Sequence, residues 1–226
     1  MIVVIQCAGS KRKNAGFLKT KDGRPVSFVA HPEFAPPAVG CVYARPDDTS
    51  HAGGTWREQL VAYNASPGNN PFGLLPAFEL YENDIYRAMV KQCGVENTYI
   101  LSAGWGLIDA AFLTPAYDIT FSTQADKFLR RLKRDTFCDL SLIPANTSEQ
   151  VVFFGSKEYV PLFAALTRGV KGERIVFYNS VTPPLAPGCK LVRFETRTRT
   201  NWQYECAAAF LREGALQFEI GMAARC

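Results

Sequence analysis

Lys11, Trp105, Asp118 and Lys157 are the residues of this chain whose types and places could carry chemistry at one site. Three of them lie on short turns of small residues: Cys7-Ala8-Gly9-Ser10-Lys11, Ser102-Ala103-Gly104-Trp105-Gly106 and Gly155-Ser156-Lys157. Exposed backbone N–H groups beside a lysine charge make an anion cradle. Glycine lets a backbone approach a ligand closely, and an indole offers a stacking face. Asp118, in Pro115-Ala116-Tyr117-Asp118, sits on a loop beyond a strand end, where a carboxylate can polarise water or stabilise a cation. Together they point to a ligand with a flat face and some negative charge. Plainer readings stand beside each: solvated lysines at a tight strand exit, a core tryptophan under the loop, a solvated or helix-capping aspartate. Asp109 and Asp126 are weaker candidate acids.

Other chemistries find no support. The chain has no G-x-x-x-x-G-K-[ST] loop and no G-x-G-x-x-G, which disfavours a nucleoside-triphosphate P-loop and a dinucleotide cofactor. G-x-S-x-G and H-E-x-x-H are absent, and no Cys pairs with a plausible neighbouring His. Seven cysteines form no C-x-x-C, and only two histidines, His31 and His51, accompany them. No metal and no cofactor are therefore expected, and the cysteines read as mostly buried thiols.

The three turns follow apolar runs without alternation: Met1–Gln6, Thr98–Leu101 and Gln150–Phe154. Such runs read as central strands of a parallel sheet, whose carboxyl ends are where open α/β sheets bind ligands. Further strands are expected at 173–178 and Lys190–Glu195. Helices are expected at Thr55–Tyr63 with Thr55 as N-cap, at 77–93 ended by Gly94, at 156–168 and at Asn201–Glu213. A basic amphipathic helix is expected at 123–139, with Phe128, Leu129, Leu132 and Phe137 on its apolar side, and a loop at 104–122. Residues 12–78, rich in Pro, Gly and aromatics, read as an irregular insertion that folds over the pocket mouth, with Trp56, Tyr63 and His51 as selective contacts. The order implies a single domain over 1–226: a three-layer α/β/α sandwich with a mainly parallel sheet and right-handed crossovers.

A 47% hydrophobic and 20% charged chain of 226 residues is long enough for a sizeable core. No run approaches a membrane span and the N-terminus reads as a first strand rather than a signal peptide, so a cytoplasmic protein is expected. The net charge of +4 is mild, but it is clustered. Lys11, Lys13, Arg130, Arg131, Arg197 and Arg199 lie near aromatics, a pattern that suits a phosphate backbone and stacked bases; ordinary solvated surface is the alternative.

In chain order, the segments Cys7–Lys11, Ile100–Ile108, Pro115–Asp118 and Gly155–Tyr159 carry a resemblance. Together they resemble the uracil-DNA-glycosylase-like superfamily: the YaaA-related small proteins and the corresponding domains of tRNA-deazaguanine enzymes. The Gly-Gln-Asp-Pro and His-Pro-Ser motifs of true uracil-DNA glycosylases are absent, which leaves base and reaction open. The resemblance implies an α/β/α fold and a nucleobase pocket made by Cys7, Ala8, Gly9, Ser10, Ser102, Gly104, Trp105, Gly106, Tyr117, Gly155, Ser156 and Tyr159. The expected activity is a DNA glycosylase that flips out a modified base, with Trp105 stacking on it and Asp118 as the catalytic residue that positions water or stabilises the oxocarbenium-like sugar. The insertion suits a bulky base of the kind phage DNA carries, and a role in antiviral defence. A YaaA-like binding protein without catalysis and a nucleoside-modifying transferase are the other readings.

Overall fold

The structure, a computed structural model, describes residues 1–196 and 200–213. A seven-stranded sheet is built from β1 (Ile2–Gln6), β5 (Thr98–Ser102), β6 (Gly106–Asp109), β9 (Leu140–Ser141), β10 (Val151–Phe154), β11 (Arg174–Tyr178) and β12 (Lys190–Arg193). Its order is β12-β11-β10-β1-β5-β6-β9, and every neighbour pair is parallel except β5 with β6. β1 lies in the middle with all five residues buried, which is why its sequence runs apolar without alternation.

Helices cover both faces. Consecutive strand residues point to opposite sides of a sheet. Phe153 of β10 stacks on Phe163 of α4 (Val160–Leu166), with ring centroids 4.6 Å apart. Its neighbour Phe154 meets Phe210 of α5 (Trp202–Glu213) at 5.1 Å. So α4 and α5 lie on opposite faces, and α3 (Ile85–Cys93) packs beside α5 on the second. The expected three layers and mainly parallel sheet are therefore present.

The insertion is more ordered than its composition suggests. β2 (Val26–Val29) and β3 (Val42–Ala44) pair in parallel, and β8 (Tyr117–Asp118) completes a second, three-stranded sheet on the other side of β2. α1 (Trp56–Ala65) begins at Thr55 in a full capping box with Glu58, an arrangement that stabilises a helix start by about 1 kcal/mol. β4 (Leu75–Pro76) pairs with β7 (Leu113–Thr114), and the helix expected at 77–93 is broken into α2 (Ala77–Leu80) and α3. The expected loop at 104–122 thus holds β6, β7 and β8.

Residues 123–139 form no helix, contrary to their apolar spacing. Short polar side chains capture the backbone there instead. Ser122 Oγ accepts from Gln124 N, and Asp135 Oδ2 accepts from Leu132 N at 2.6 Å. Such local bonds compete with helix formation. The segment runs through successive turns, tied by Thr120 N to Leu129 O and Arg131 N to Thr120 O.

β5 turns back into β6 through Ala103-Gly104-Trp105, and Gly106 makes that turn possible. Its φ is +90°, and a Cβ there would lie 2.4 Å from the Leu140 carbonyl oxygen of β9. Gly106→Ala is therefore expected to lose at least about 2 kcal/mol in urea unfolding. Gly9→Ala, where the added carbon meets nothing within 4 Å, should leave stability unchanged. Equal stability of both variants with the parent would refute this account of Gly106.

Candidate functional site

β10, β1 and β5 are adjacent and parallel, so Gly155, Gly9 and Gly104 emerge at the same edge of the sheet, as their sequences imply. The four resemblance segments meet there through direct hydrogen bonds. Cys7 Sγ lies 3.3 Å from the Tyr159 hydroxyl and accepts from Ala103 N at 3.4 Å. Gln6 Oε1 accepts from Ser156 N at 2.6 Å. Ser102 Oγ donates to the Tyr117 hydroxyl at 2.8 Å, and Tyr81 and Tyr117 hydroxyls are also 2.8 Å apart. Burial first, and then the neighbouring Cys7, push the Tyr81, Tyr117 and Tyr159 hydroxyls well above the ordinary tyrosine pKa, so they act as neutral hydrogen-bonding groups.

Strand alternation then places the acid. Tyr117 points inward and is buried; Asp118, the next residue of β8, points outward and its side chain is 64% exposed. Asp118 Oδ1 lies 3.7 Å from Lys11 Nζ. The Lys11 side chain is only 10% exposed, with Nζ 4.4 Å from the centre of the Tyr117 ring and donating to the Gly9 carbonyl at 3.2 Å. Desolvation by burial lowers the Lys11 pKa from the ordinary lysine value, with Asp118 opposing that shift.

Three cavities share Gly9 at this edge. The first, about 380 Å³, is bordered by Gln6, Cys7, Ala8, Thr120, Ser156, Glu158, Tyr159 and Gln203. A second, about 420 Å³, adjoins it at Ala8, Asn201 and Tyr204 and carries Ser10 and Glu82. The third, about 290 Å³, lies between Lys11, Lys13, Phe17, Ser27 and Asp118. Volumes of this order suit one small aromatic ligand with its polar substituents. A larger groove of about 840 Å³ runs along α4, shares Glu158 with the first cavity, and carries Lys133, Lys157 and Arg168 over an apolar floor of Pro161, Ala164 and Leu185.

Several expected site residues take other roles. Trp105 is fully buried, edge-on to Phe28 at 5.0 Å, and offers no face to a ligand. The whole Ser102–Gly106 turn is buried and its backbone groups are satisfied internally. Gly104 N and Trp105 N donate to Ser102 Oγ, at 3.2 and 3.1 Å. Arg57 donates to the carbonyls of Gly104 and Trp105, and Arg131 to that of Ala103. This turn is a support, so Ser102, Gly104 and Gly106 do not line the described cavities. Gly155 is buried beneath the Phe153 ring, whereas Ser156 and Tyr159 do border the first cavity.

The basic set also divides. Arg131 is buried and ion-paired with Asp139, not turned to solvent. Lys11 is turned in toward Asp118, while Lys13 is exposed; Arg130 is half-buried and donates to the Thr123 carbonyl. Arg197 and Arg199 lie outside the described residues. In the insertion, Trp56 is core against Phe28, Tyr63 bonds Asn70, and His51 packs on Trp56; none borders the cavities at the sheet edge. The insertion instead supplies Phe17, 39% exposed, as the aromatic of the third cavity.

Gln6, Phe17, Glu158 and Gln203 are among the lining residues that sequence reading did not single out. Gln6 had a signal, a polar side chain closing an otherwise apolar strand. Phe17 had none. Among the described residues, no three His, Cys, Asp or Glu side chains come together to hold a metal ion, and no helix is long and apolar enough to cross a membrane. Comparison with protein-family models, with curated proteins and with solved structures finds no match to this chain.

Proposed function

We propose that this protein is a DNA glycosylase that cleaves the N-glycosidic bond of a modified base, with the nucleotide flipped out of the duplex into the cavities at the sheet edge. The observation that carries this reading is the convergence of the four segments: they bond to one another, and two of them, Cys7–Lys11 and Gly155–Tyr159, line a cavity of about 380 Å³ that shares Gly9 with the one bordered by Lys11 and Asp118. In this reading the base enters the first cavity, where Gln6, Ser156, Tyr159 and Gln203 offer the mixed donors and acceptors that a base edge needs. The sugar lies over Gly9, between Phe17 and Asp118. Cleavage builds positive charge on the sugar, which the Asp118 carboxylate stabilises while it takes the proton from the attacking group, water in the plain hydrolytic case. Phosphates run past Lys13 and along the groove of Lys133, Lys157 and Arg168. A uracil-DNA-glycosylase-like fold and a cytoplasmic, antiviral role against hypermodified phage DNA belong to the same proposal.

The test is incubation with DNAs carrying different modified bases, phage genomes included. Mass spectrometry reads the released base, and alkali-labile breaks on a gel read the abasic sites. Base release with matching breaks from at least one DNA is expected. Binding without release from any of them would leave a non-catalytic, YaaA-like binding protein. One observation favours a second reading: Arg131 is withdrawn into the core and Lys11 into an ion pair, which thins the basic surface. A nucleoside-modifying transferase acting on free nucleotides needs less of it, and turnover of nucleosides without DNA would select that reading.

A further inference from the structure

We propose that Lys11 is an amine nucleophile, so that the site forms a covalent Schiff base with the sugar and acts as a glycosylase that also cuts the strand. The inference rests on the glycosylase reading above. It stands first on position: Lys11 borders the third cavity together with Asp118 and Phe17, next to the open Gly9 turn. It stands also on environment. The side chain is 10% exposed, lies against the Tyr117 ring, and has one carboxylate at 3.7 Å. A lysine that serves only as a phosphate contact would be exposed and solvated, as Lys13 is. Burial lowers the Lys11 pKa, which raises the share of neutral, nucleophilic amine at a given pH.

The step balances without an oxidant or reductant. The Nζ lone pair attacks C1′, forming the N–C1′ bond as the C1′–base bond breaks; the base leaves with the electron pair and takes a proton from solvent. Nitrogen gives one proton to Asp118. The C1′–O4′ bond then opens, O4′ takes that proton from Asp118, and the protonated C1′=N Schiff base remains. Loss of a C2′ proton to Asp118 expels the 3′ phosphate, which breaks the strand.

The probe is a duplex oligonucleotide with one preformed abasic site, incubated with the full chain and sodium borohydride, which reduces a Schiff base to a stable amine. A covalent protein–DNA band is expected on a denaturing gel, with peptide mass mapping to Lys11. Lys11→Arg should reduce the band at least about tenfold. Lys171→Arg, at the far edge before β11, should retain it. The mapping is read on the unmodified protein, so the result stands even where Lys11→Arg folds poorly. No band, or adducts spread over exposed lysines and unchanged by Lys11→Arg, would overturn the proposal. Base release from a modified DNA without a band would overturn Lys11 while sparing the glycosylase reading. A band at Lys11 with no base released from any DNA would support the amine and overturn that reading.

Discussion

Asp118→Asn is expected to release base at least about a hundredfold more slowly than the parent protein, on whichever DNA the parent accepts. The substitution keeps the size and removes the charge. Its site predicts little structural effect, because the Asp118 side chain is 64% exposed and its ion pair with Lys11 is long, at 3.7 Å. What holds β8 in place is the neighbour: Tyr117 is buried and bonded to Ser102, and β8 pairs with β2 through Phe28 and Val29. The asparagine variant should therefore melt within about 0.5 kcal/mol of the parent and bind the same DNA. Base release is read by mass spectrometry under single-turnover conditions, so slow product release cannot hide the chemical step. Near-normal release would remove Asp118 from the mechanism and pass the role to a backbone-bound water, because Asp109, paired with Tyr99 at the start of β5, lies at the opposite edge of the sheet.

Arg131→Leu should destabilise the fold by about 3–5 kcal/mol, more than Gly106→Ala or Asp118→Asn. Its guanidinium donates to both Asp139 oxygens, at 2.8 and 2.5 Å, and to the Ala103 carbonyl at 2.8 Å. The two side chains are 6% and 7% exposed, so truncation strands a buried carboxylate and an unpaired carbonyl. The melting temperature should fall by roughly 6–20 °C, at the few degrees per kcal/mol usual for a chain of this size. Arg134→Ala, exposed three residues on, should change stability by no more than about 0.5 kcal/mol. The double variant Arg131→Leu/Asp139→Leu should lose less than Arg131→Leu alone, because no buried charge is left without its partner. Urea unfolding followed by circular dichroism measures all three. A loss at Arg131 no larger than at Arg134 would show that the pair is not buried in solution.

The shared, largely parallel sheet of β1, β5 and β10 and the edge at which their turns gather were legible in the residues. Val3, Val4 and Ile5 can only be satisfied with strands on both sides and helices on both faces, and a strand that ends in Cys7-Ala8-Gly9 must stop where the glycine does. The Thr55 cap was legible for the same reason: a capping box acts over three residues and needs no tertiary partner. The fate of residues 123–139 was not, because Arg131 and Phe128 satisfy a helical pattern equally well. The deciding bonds are the local ones of Ser122 and Asp135 together with bonds that leave the segment, to Thr120 and to His31 of the insertion. Trp105 shows the same limit. Two glycines beside an indole suit a ligand turn or a tight hairpin, and which one forms depends on Phe28, Arg57 and Leu140 arriving from elsewhere in the chain. Local sequence determined that β1, β5 and β10 are buried strands, that small-residue turns end them, and that a carboxylate and a lysine stand near one edge. Only the tertiary structure decided which of those polar groups are spent holding the turns and which, Lys11 and Asp118 among them, are left to border a cavity. Burial and hydrogen-bond satisfaction depend on what packs against a residue, not on its neighbours in sequence.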